Sequence, residues 1–449
     1  MTAPARTAAY HALRAVAAHR EDLPTALARS RAHLDDDRDR GLAAEIVTGS
    51  LRWQRSLDHL VEHFARRPLS KLDRDVLVIL RLSLYQILHL DRVPASAVVD
   101  DAVDLTRGAR KQSASGFVNA VLRTMLRQRR NLPLPPRPEA PGDRHADLEY
   151  LGITHSHPDW LVARWLERYG FDAAERWVRF NNETPPLTVR ANRLRLTRDQ
   201  LRDTLATQGV ETGATRYAPD GLVVNDGNPL HAEANDGSFF VQDEASQLVS
   251  IVVGARAGER VLDLCASPGG KTTAMAADMN DSGIVIASDV RARRLHLLRD
   301  TVESSGARHV HVVHVPASGD LPFRAPFDRV LVDAPCSGLG TVRRDPDIRW
   351  RRAESELAAL AHGQLVLLAR AAAVVAPRGR LVYATCSSEP EENEQVVGRF
   401  LDEHSDFAPL DLRGESPLLE PLLDDRGMMR TLPSAHVLEA FFAAALVRR

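Results

Sequence analysis

The spacing of apolar residues changes twice along this chain. Over residues 1–130, apolar residues recur at intervals of three and four, as in TAAYHALRAVAAH and SGFVNAVLRTMLRQRR. That spacing places them on one face of each helix and predicts an all-α domain. Five prolines between Pro133 and Pro141 then exclude both helix and sheet interior. We therefore predict a linker over residues 131–144 that lets the flanking parts fold separately.

Residues 145–235 combine both kinds of spacing. HSHPDWLVARWLERYGFDAAERWVRFNN indicates two short helices, and strands in PPLTVRANRLR and GLVVN flank a helix that begins near Thr197. We predict a small α+β module here. Within residues 236–449, helical stretches alternate with apolar runs at 260–264, 283–288, 309–315, 327–332 and 379–384. This alternation predicts a doubly wound parallel sheet, and so a Rossmann-like α/β domain.

Composition limits the class of protein. The chain has 449 residues, of which 44% are hydrophobic and 26% charged, as in a globular protein of several domains. No apolar run approaches the roughly 20 residues that span a bilayer, and the N-terminus lacks a signal-peptide core. We therefore expect a cytoplasmic protein without a membrane partner. Three cysteines cannot all pair, so we expect no disulfide framework.

Positive charge is concentrated at the N-terminal end. Residues 1–130 hold 22 Lys+Arg against 15 Asp+Glu, although the whole chain has a net charge of −2. This surplus suits a polyanion partner, but a solvated helical surface explains it equally well. The chain has only three lysines against 55 arginines. Lys271, in the segment GGK, therefore indicates a position that needs a compact point charge.

The first loop of the predicted sheet has the features of a nucleoside site. In VLDLCASPGGKTTAMAA the strand ends at Leu264, Gly269 and Gly270 allow close approach to a ligand, and Thr272 opens the next helix. Asp289 ends the second strand, where a carboxylate can accept hydrogen bonds from a ribose diol. A tight strand–helix turn is the alternative, but the combination favours a nucleoside cofactor. The glycine spacing matches neither a P-loop nor GxGxxG.

Each cysteine follows a strand-like run. We interpret Cys265 as a small packing residue. Cys336 and Cys386 end strands that are expected to be neighbours. Two thiols and Asp333 beside a nucleoside cofactor fit methylation of pyrimidine C5: a thiolate adds to C6, the acid stabilises charge at ring N3, and a base removes the C5 proton. Spacing alone leaves open which thiol attacks.

Three segments, CASPGGKT, DAPCSGLGTVRRDPDIRW and TCSSEPEENE, resemble motifs of the Nop/Sun family of RNA cytosine-5 methyltransferases. The resemblance runs from about Asp147 to the C-terminus, and residues 1–130 resemble the NusB RNA-binding domain. It implies a class I methyltransferase domain with S-adenosyl-L-methionine as cofactor. The implied reaction is methylation at C5 of a cytosine in small-subunit (16S) rRNA through a covalent cysteine–C6 adduct. A tRNA or another RNA is the alternative substrate.

The same resemblance implies roles for single residues. Cys386 of TCS is expected to be the nucleophile and Cys336 of PCS to aid product release, with Lys271 and Asp333 near substrate and cofactor. The other expected cofactor contacts are Cys265, Ala266, Ser267, Pro268, Gly269, Gly270 and Asp289. We expect RNA as the partner, no DNA, no metal and a monomer.

Two positions depart from the family pattern. Pro316 stands about where an aspartate usually holds the adenine amine, and Ala440 replaces a glycine. Either the cofactor site is weaker, or a loop realignment recruits Asp320.

Two other classes of protein remain as alternatives. A NusB-type antitermination factor would have no use for the strand-end cysteines, and a small-molecule methyltransferase would not need the basic helical domain.

Overall fold

A computed structural model of the protein describes residues 2–231 and 237–449. The chain divides into two compact units, one formed by Met1–Glu183 with Val342–Arg352 and the other by Thr184–Thr341 with Ala353–Arg449. The first unit is helical, and the second carries both sheets. Within the described ranges, no helix is long and apolar enough to cross a membrane.

The predicted N-terminal helices form one bundle. Their apolar faces bury a common core, in which α5 is covered on several sides because it carries the densest apolar run. The Asp73 carboxylate caps α5 by accepting hydrogen bonds from the N–H groups of Asp75 and Val76. The helices are α1 (Pro4–Ala17), α2 (Leu23–Ala32), α3 (Asp37–Arg52), α4 (Gln54–Ala65), α5 (Arg74–His89), α6 (Ala95–Gly108) and α7 (Ser115–Gln128).

The predicted linker has neither helix nor strand from residue 131 to 143, but it is packed. The Pro133 carbonyl oxygen lies 2.8 Å from His59 Nε2 of α4. The Pro135 carbonyl accepts a hydrogen bond of 2.7 Å from Thr154 Oγ1, on the far side of the linker. The linker bonds to both flanking parts, and the helices on either side of it belong to one compact unit. That these parts fold separately stays a prediction.

Three further helices complete this unit. Arg55 of α4 pairs with Asp159 of α9, and its backbone N–H donates to Ser156 Oγ at 3.0 Å. Trp165 and Trp177 stack at 4.9 Å between ring centroids and are fully buried, as expected for core residues. The helices are α8 (Arg144–Glu149), α9 (Asp159–Tyr169) and α10 (Phe171–Asn182).

A later segment, Val342–Arg352, also belongs to the helical unit although it follows the PCS motif in sequence. Arg349 is fully buried, and its guanidinium donates to the backbone carbonyls of Ser156 and Asn181 at 2.9 and 3.2 Å. Trp350 Nε1 donates to the Leu51 carbonyl at 2.7 Å. These buried hydrogen bonds explain why the segment belongs to the helical unit, although the residues before and after it in sequence belong to the second unit.

The small α+β module is an antiparallel sheet with strand order β2-β3-β1-β4. Thr197 and Gln200 form a capping box that starts the helix where the sequence predicts it. β4 pairs with the free edge of β1, so the module extends past the expected boundary at residue 235. The elements are β1 (Thr188–Ala191), α11 (Arg198–Thr207), β2 (Glu211–Ala214), β3 (Gly221–Asp226) and β4 (Phe239–Val241).

The large sheet has strand order β10-β12-β9-β8-β5-β6-β7, and the five predicted strands correspond to β5–β9, which run parallel. β12 is antiparallel to both β9 and β10, so one edge departs from the predicted all-parallel sheet. The elements are α12 (Glu244–Val253), β5 (Arg260–Asp263), α13 (Gly270–Asp278), β6 (Ile284–Asp289), α14 (Arg294–Ser305), β7 (Val310–His314), β8 (Phe327–Asp333), α16 (Leu357–Ala372), β9 (Val375–Thr385), α17 (Glu394–Glu403), β10 (Phe407–Leu410), β11 (Met429–Arg430), α18 (Pro433–His436) and β12 (Phe442–Arg448). Between β8 and α16, α15 (Ile348–Arg351) belongs to the segment Val342–Arg352 of the first unit.

Two apolar cores cover the two faces of this sheet. Helices on both faces exclude water from the central strands, which explains their continuous apolar runs. Asp263, Asp289 and Asp333 are the last residues of β5, β6 and β8. The loops after β5, β6, β8 and β9 leave the sheet at its carboxyl edge, where ligands bind in folds of this type.

Candidate active site

The two motif cysteines meet at the carboxyl edge of the large sheet. Asp333 at the end of β8 lies opposite Ala384 of β9, so the residues that follow both strands emerge together. Cys336 Sγ lies 3.2 Å from Cys386 Sγ, and both thiols are free. This separation is longer than the roughly 2.05 Å of a disulfide bond. The site therefore holds two thiols in direct contact.

A half-buried ion pair lies at the same edge. Lys271 Nζ donates to Asp333 Oδ2 at 2.6 Å and lies 5.8 Å from the centre of the Phe441 ring. Burial lowers the pKa of Lys271, but the carboxylate of Asp333 and then the charge of Cys386 raise it, and the net shift is upward. Lys271 is therefore held as a cation at the edge where the two thiols lie.

The loop from Cys265 to Lys271 joins β5 to α13. Gly269 has a φ of +112°, which L-residues rarely adopt, and a Cβ there would lie 3.0 Å from side-chain atoms of Leu298 and Thr301. α13 begins at Gly270, so its first N–H groups have no partners within the helix. A glycine turn that leads into free N–H groups is suited to binding a polar part of a ligand.

The other residues of this loop are held by hydrogen bonds and packing contacts with the rest of the domain. The Ala266 N–H donates to the Ser288 carbonyl at 2.9 Å, and Ser267 Oγ donates to the Arg294 carbonyl at 3.2 Å. Pro268 follows without an N–H to donate. Cys265 packs against the core, and burial is the largest cause that raises the pKa of its thiol. A raised pKa disfavours the Cys265 thiolate as a nucleophile, and the expected cofactor contact of Cys265 stays a prediction.

A buried arginine supports the loop from the small sheet. Arg190 of β1 donates from Nη2 to the Gly270 carbonyl at 3.0 Å and to Thr273 Oγ1 at 2.8 Å, and from Nε to Gln242 Oε1 at 2.7 Å. The guanidinium therefore fixes the start of α13. Sequence analysis missed this residue because a strand arginine usually indicates an exposed position. The apolar neighbours in TVRA are the only signal that both faces of β1 are covered.

Two aspartates end the neighbouring strands β5 and β6. Asp263 is buried, and its Oδ2 accepts a hydrogen bond of 2.7 Å from Thr272 Oγ1. Burial raises the pKa of Asp263 to about 7. Asp289 is also buried, and its Oδ1 accepts from the Arg291 N–H at 2.8 Å. Sequence analysis identified Asp289 but not Asp263, which lies inside the run VLDLC.

Three protein families match separate parts of the chain, and these parts correspond to the helical region, the small α+β module and the large-sheet domain. Residues 250–447 match the family described as 16S rRNA methyltransferase RsmB/F, residues 3–127 match the NusB family, and residues 157–231 match the RsmF/B-like ferredoxin-like domain. A probable ribosomal RNA small subunit methyltransferase B from Bacillus subtilis is 34% identical, over 92% of this chain and 91% of its own length. The chain belongs to the RsmB/F methyltransferase family.

Other relatives agree with this membership. A probable ribosomal RNA small subunit methyltransferase B from Synechocystis is 34% identical, over 98% of this chain and 99% of its own. The crystal structure of PH0851 covers 99% of both chains with a TM-score of 0.79 and 28% identity. The expected family, the fold class and the activity of an S-adenosylmethionine-dependent RNA methyltransferase are thereby confirmed.

The residues of this RsmB/F chain fit S-adenosylmethionine. The turn at Gly269 has a left-handed backbone and leads directly into the first N–H groups of α13, which have no partners within the helix. The buried carboxylate of Asp289 stands at the end of β6, where a ribose diol can donate to it. These three features would hold the nucleoside part of the cofactor.

The two departures from the RsmB/F pattern have different surroundings. Arg370 Nη2 donates to the Pro316 carbonyl at 2.9 Å, which ties the loop after β7 to α16, and Asp320 in that loop is exposed. Whether the adenine contact is weaker or uses Asp320 stays open as a pair of predictions. Ala440 is buried, and its N–H donates to the Gly340 carbonyl at 3.0 Å.

Proposed function

We propose that this protein transfers a methyl group from S-adenosylmethionine to C5 of a cytosine in small-subunit (16S) rRNA, through a covalent bond between Cys386 and C6 of the base. The observation that carries the proposal is the pair of thiols 3.2 Å apart beside the Lys271–Asp333 ion pair. The names of the relatives, which cover more than nine-tenths of the chain, support rRNA as the substrate class.

Addition of a thiolate solves the main chemical difficulty. Cytosine C5 is a weak nucleophile, but the Cys386 thiolate forms an S–C6 bond and moves the C5–C6 π electrons toward C5. Asp333, in its protonated form, gives a proton or a hydrogen bond to ring N3, which stabilises the charge that develops on the base. Lys271 then pairs with the Asp333 carboxylate. S-adenosylmethionine, when bound, supplies an electrophilic methyl group.

Release of the product reverses the addition. A base removes the proton from C5, the electron pair re-forms the C5–C6 double bond, and Cys386 leaves as a thiolate. In our proposal Cys336 assists this step because its Sγ lies 3.2 Å from the leaving sulfur. This contact supports a shared role for the two cysteines at the carboxyl edge of the sheet.

The helical region contributes affinity for RNA in this proposal. Residues 1–130 carry seven more basic than acidic residues and match the NusB family over residues 3–127. Contacts between arginines and phosphates would release counterions, so this part of the affinity should fall as salt rises. The chemistry itself needs only residues of the second unit.

The test is transfer of tritium from S-[methyl-³H]adenosylmethionine to unmodified small-subunit rRNA, with tRNA and DNA in parallel. We expect label in the rRNA as 5-methylcytosine, and none with Cys386→Ala. Exposed Asp300→Asn is the matched surface control. Preferential labelling of tRNA would show that tRNA, and not rRNA, is the substrate. The absence of label from every nucleic acid would overturn the whole proposal.

A further inference from the structure

Glu392 is a fully buried carboxylate next to the two thiols. It lies in the short turn Pro390–Glu392 between β9 and α17. Its Oε1 accepts hydrogen bonds from the Ser337 N–H at 2.8 Å and from Gln364 Nε2 at 2.9 Å. Its Oε2 accepts from Ser337 Oγ and Ser387 Oγ, each at 2.5 Å. Four donors thus occupy the acceptor positions of the carboxylate.

The two serines are the residues that follow the two cysteines. Ser337 follows Cys336 after β8, and Ser387 follows Cys386 after β9. The serine hydroxyl oxygens lie 3.2 Å apart, the same separation as the two sulfur atoms. A single carboxylate therefore bonds both cysteine loops at equivalent positions. A shift of either loop would break a hydrogen bond to a buried charge.

A second set of bonds holds Glu392 itself. Gln364 of α16 also donates from Nε2 to the Pro335 carbonyl at 3.0 Å, next to Cys336. The Tyr383 hydroxyl of β9 donates to the Glu392 backbone carbonyl and contacts Gln364 Oε1 at 3.0 Å. The four donors to the Glu392 carboxylate, three from side chains and one a backbone N–H, are all neutral. A buried carboxylate without a cation is costly to fold, so packing alone does not explain it.

We propose that Glu392 is a positioning residue that holds Cys336 and Cys386 in the geometry that lets them act in turn on one base. This inference rests on the proposed covalent mechanism and adds a residue to it. The charge of the carboxylate has a second effect, because the pKa of Cys336 is raised by its hydrogen bond to Cys386, by burial, and by the charges of Cys386 and Glu392. Cys336 therefore stays a neutral thiol while Cys386 attacks.

A carboxylate with only a structural role would act on both loops alike. Its loss would lower the melting temperature and reduce activity in proportion, without changing the balance between adduct formation and release. A positioning role predicts opposite effects for the two serines. Ser387 holds the loop of the nucleophile, and Ser337 holds the loop of the thiol that aids release.

The experiment compares Ser337→Ala, Ser387→Ala and Glu392→Gln in the full chain. Glutamine keeps the shape and, with reversed serine hydroxyls, the number of hydrogen bonds, but removes the charge. Glu403→Gln is the matched control, because Glu403 is exposed at the end of α17. The measurements are kcat, KM for rRNA, calorimetric affinity for S-adenosylmethionine, melting temperature, and the fraction of protein in a denaturation-resistant RNA adduct.

We expect Ser387→Ala to lower the rate of adduct formation about tenfold, and Ser337→Ala to raise the steady-state adduct fraction severalfold. Glu392→Gln should lower kcat about tenfold, with affinity for S-adenosylmethionine within twofold of wild type. Equal adduct levels in both serine variants, or wild-type kcat in Glu392→Gln, would overturn the inference. If Glu392→Gln does not fold, the serine variants decide, since both keep the carboxylate. An inactive wild-type protein would instead refute the proposed function.

Discussion

Asp263 allows a quantitative test of how burial acts at the carboxyl edge of the sheet. Its side chain is 1% exposed and accepts one hydrogen bond from Thr272. Burial is the largest cause that raises the pKa from 3.8 to about 7. The negative charge of Asp333 adds to this, whereas Thr272 and Lys271 oppose it. Folding thus moves the pKa of this carboxyl upward by about three units.

The sign of the pH effect follows from this shift. Below about pH 4 the carboxyl is protonated in the folded and the unfolded state, and the free energy of unfolding is unaffected. Between about pH 4 and 7 unfolding releases a proton, so the free energy of unfolding falls as pH rises. At about 1.4 kcal/mol per unit the total loss is about 4 kcal/mol, of which about 2–3 kcal/mol falls between pH 5 and 8.

The test substitution is Asp263→Asn, which keeps an oxygen for Thr272 and cannot ionise. As pH rises from 5 to 8, we expect the free energy of unfolding of Asp263→Asn to increase by about 2–3 kcal/mol relative to that of wild type. The measurement is urea unfolding followed by a spectroscopic signal from the second unit. Exposed Asp300→Asn is the control and should follow wild type across the same range. If the free energy of unfolding depends on pH in the same way for Asp263→Asn and wild type, the raised pKa of Asp263 is refuted. Infrared difference spectra of the protonated carboxyl band offer an independent check.

Three further predictions concern the thiols and the cofactor. Cys386→Ala should abolish both methyl transfer and the adduct, whereas Cys336→Ala should accumulate an adduct on denaturing gels; the reverse pattern would exchange their roles. Asp289→Ala should weaken S-adenosylmethionine binding by about 1–3 kcal/mol in calorimetry with RNA affinity unchanged, and unchanged cofactor affinity would remove Asp289 from the site. Arg190→Lys should lower cofactor affinity about tenfold, because one ammonium cannot replace a guanidinium that bonds three groups. Wild-type affinity would show that the loop does not depend on Arg190.

Much of the fold could be predicted because its signals are local. Helical spacing over residues 1–130, prolines from Pro133 onward and apolar runs near 260, 285, 310, 330 and 380 each reflect which side of an element faces water. The β4 strand could not be assigned correctly, because its partner β1 lies about 50 residues earlier in the chain. The same holds for Val342–Arg352, which contacts helices whose residues precede it by more than 150 positions.

By itself the sequence determined which segments form helices and strands and which reactive side chains are present. It also determined the motifs that indicate two thiols, an acid and a lysine at strand ends. Only the tertiary structure decided which atoms meet: the sulfur atoms at 3.2 Å, Arg190 on the cofactor loop and Glu392 on both serines. The physical reason is that periodicity records exposure to water, one residue at a time. Contacts between distant side chains depend instead on strand order, register and packing, which no local pattern encodes.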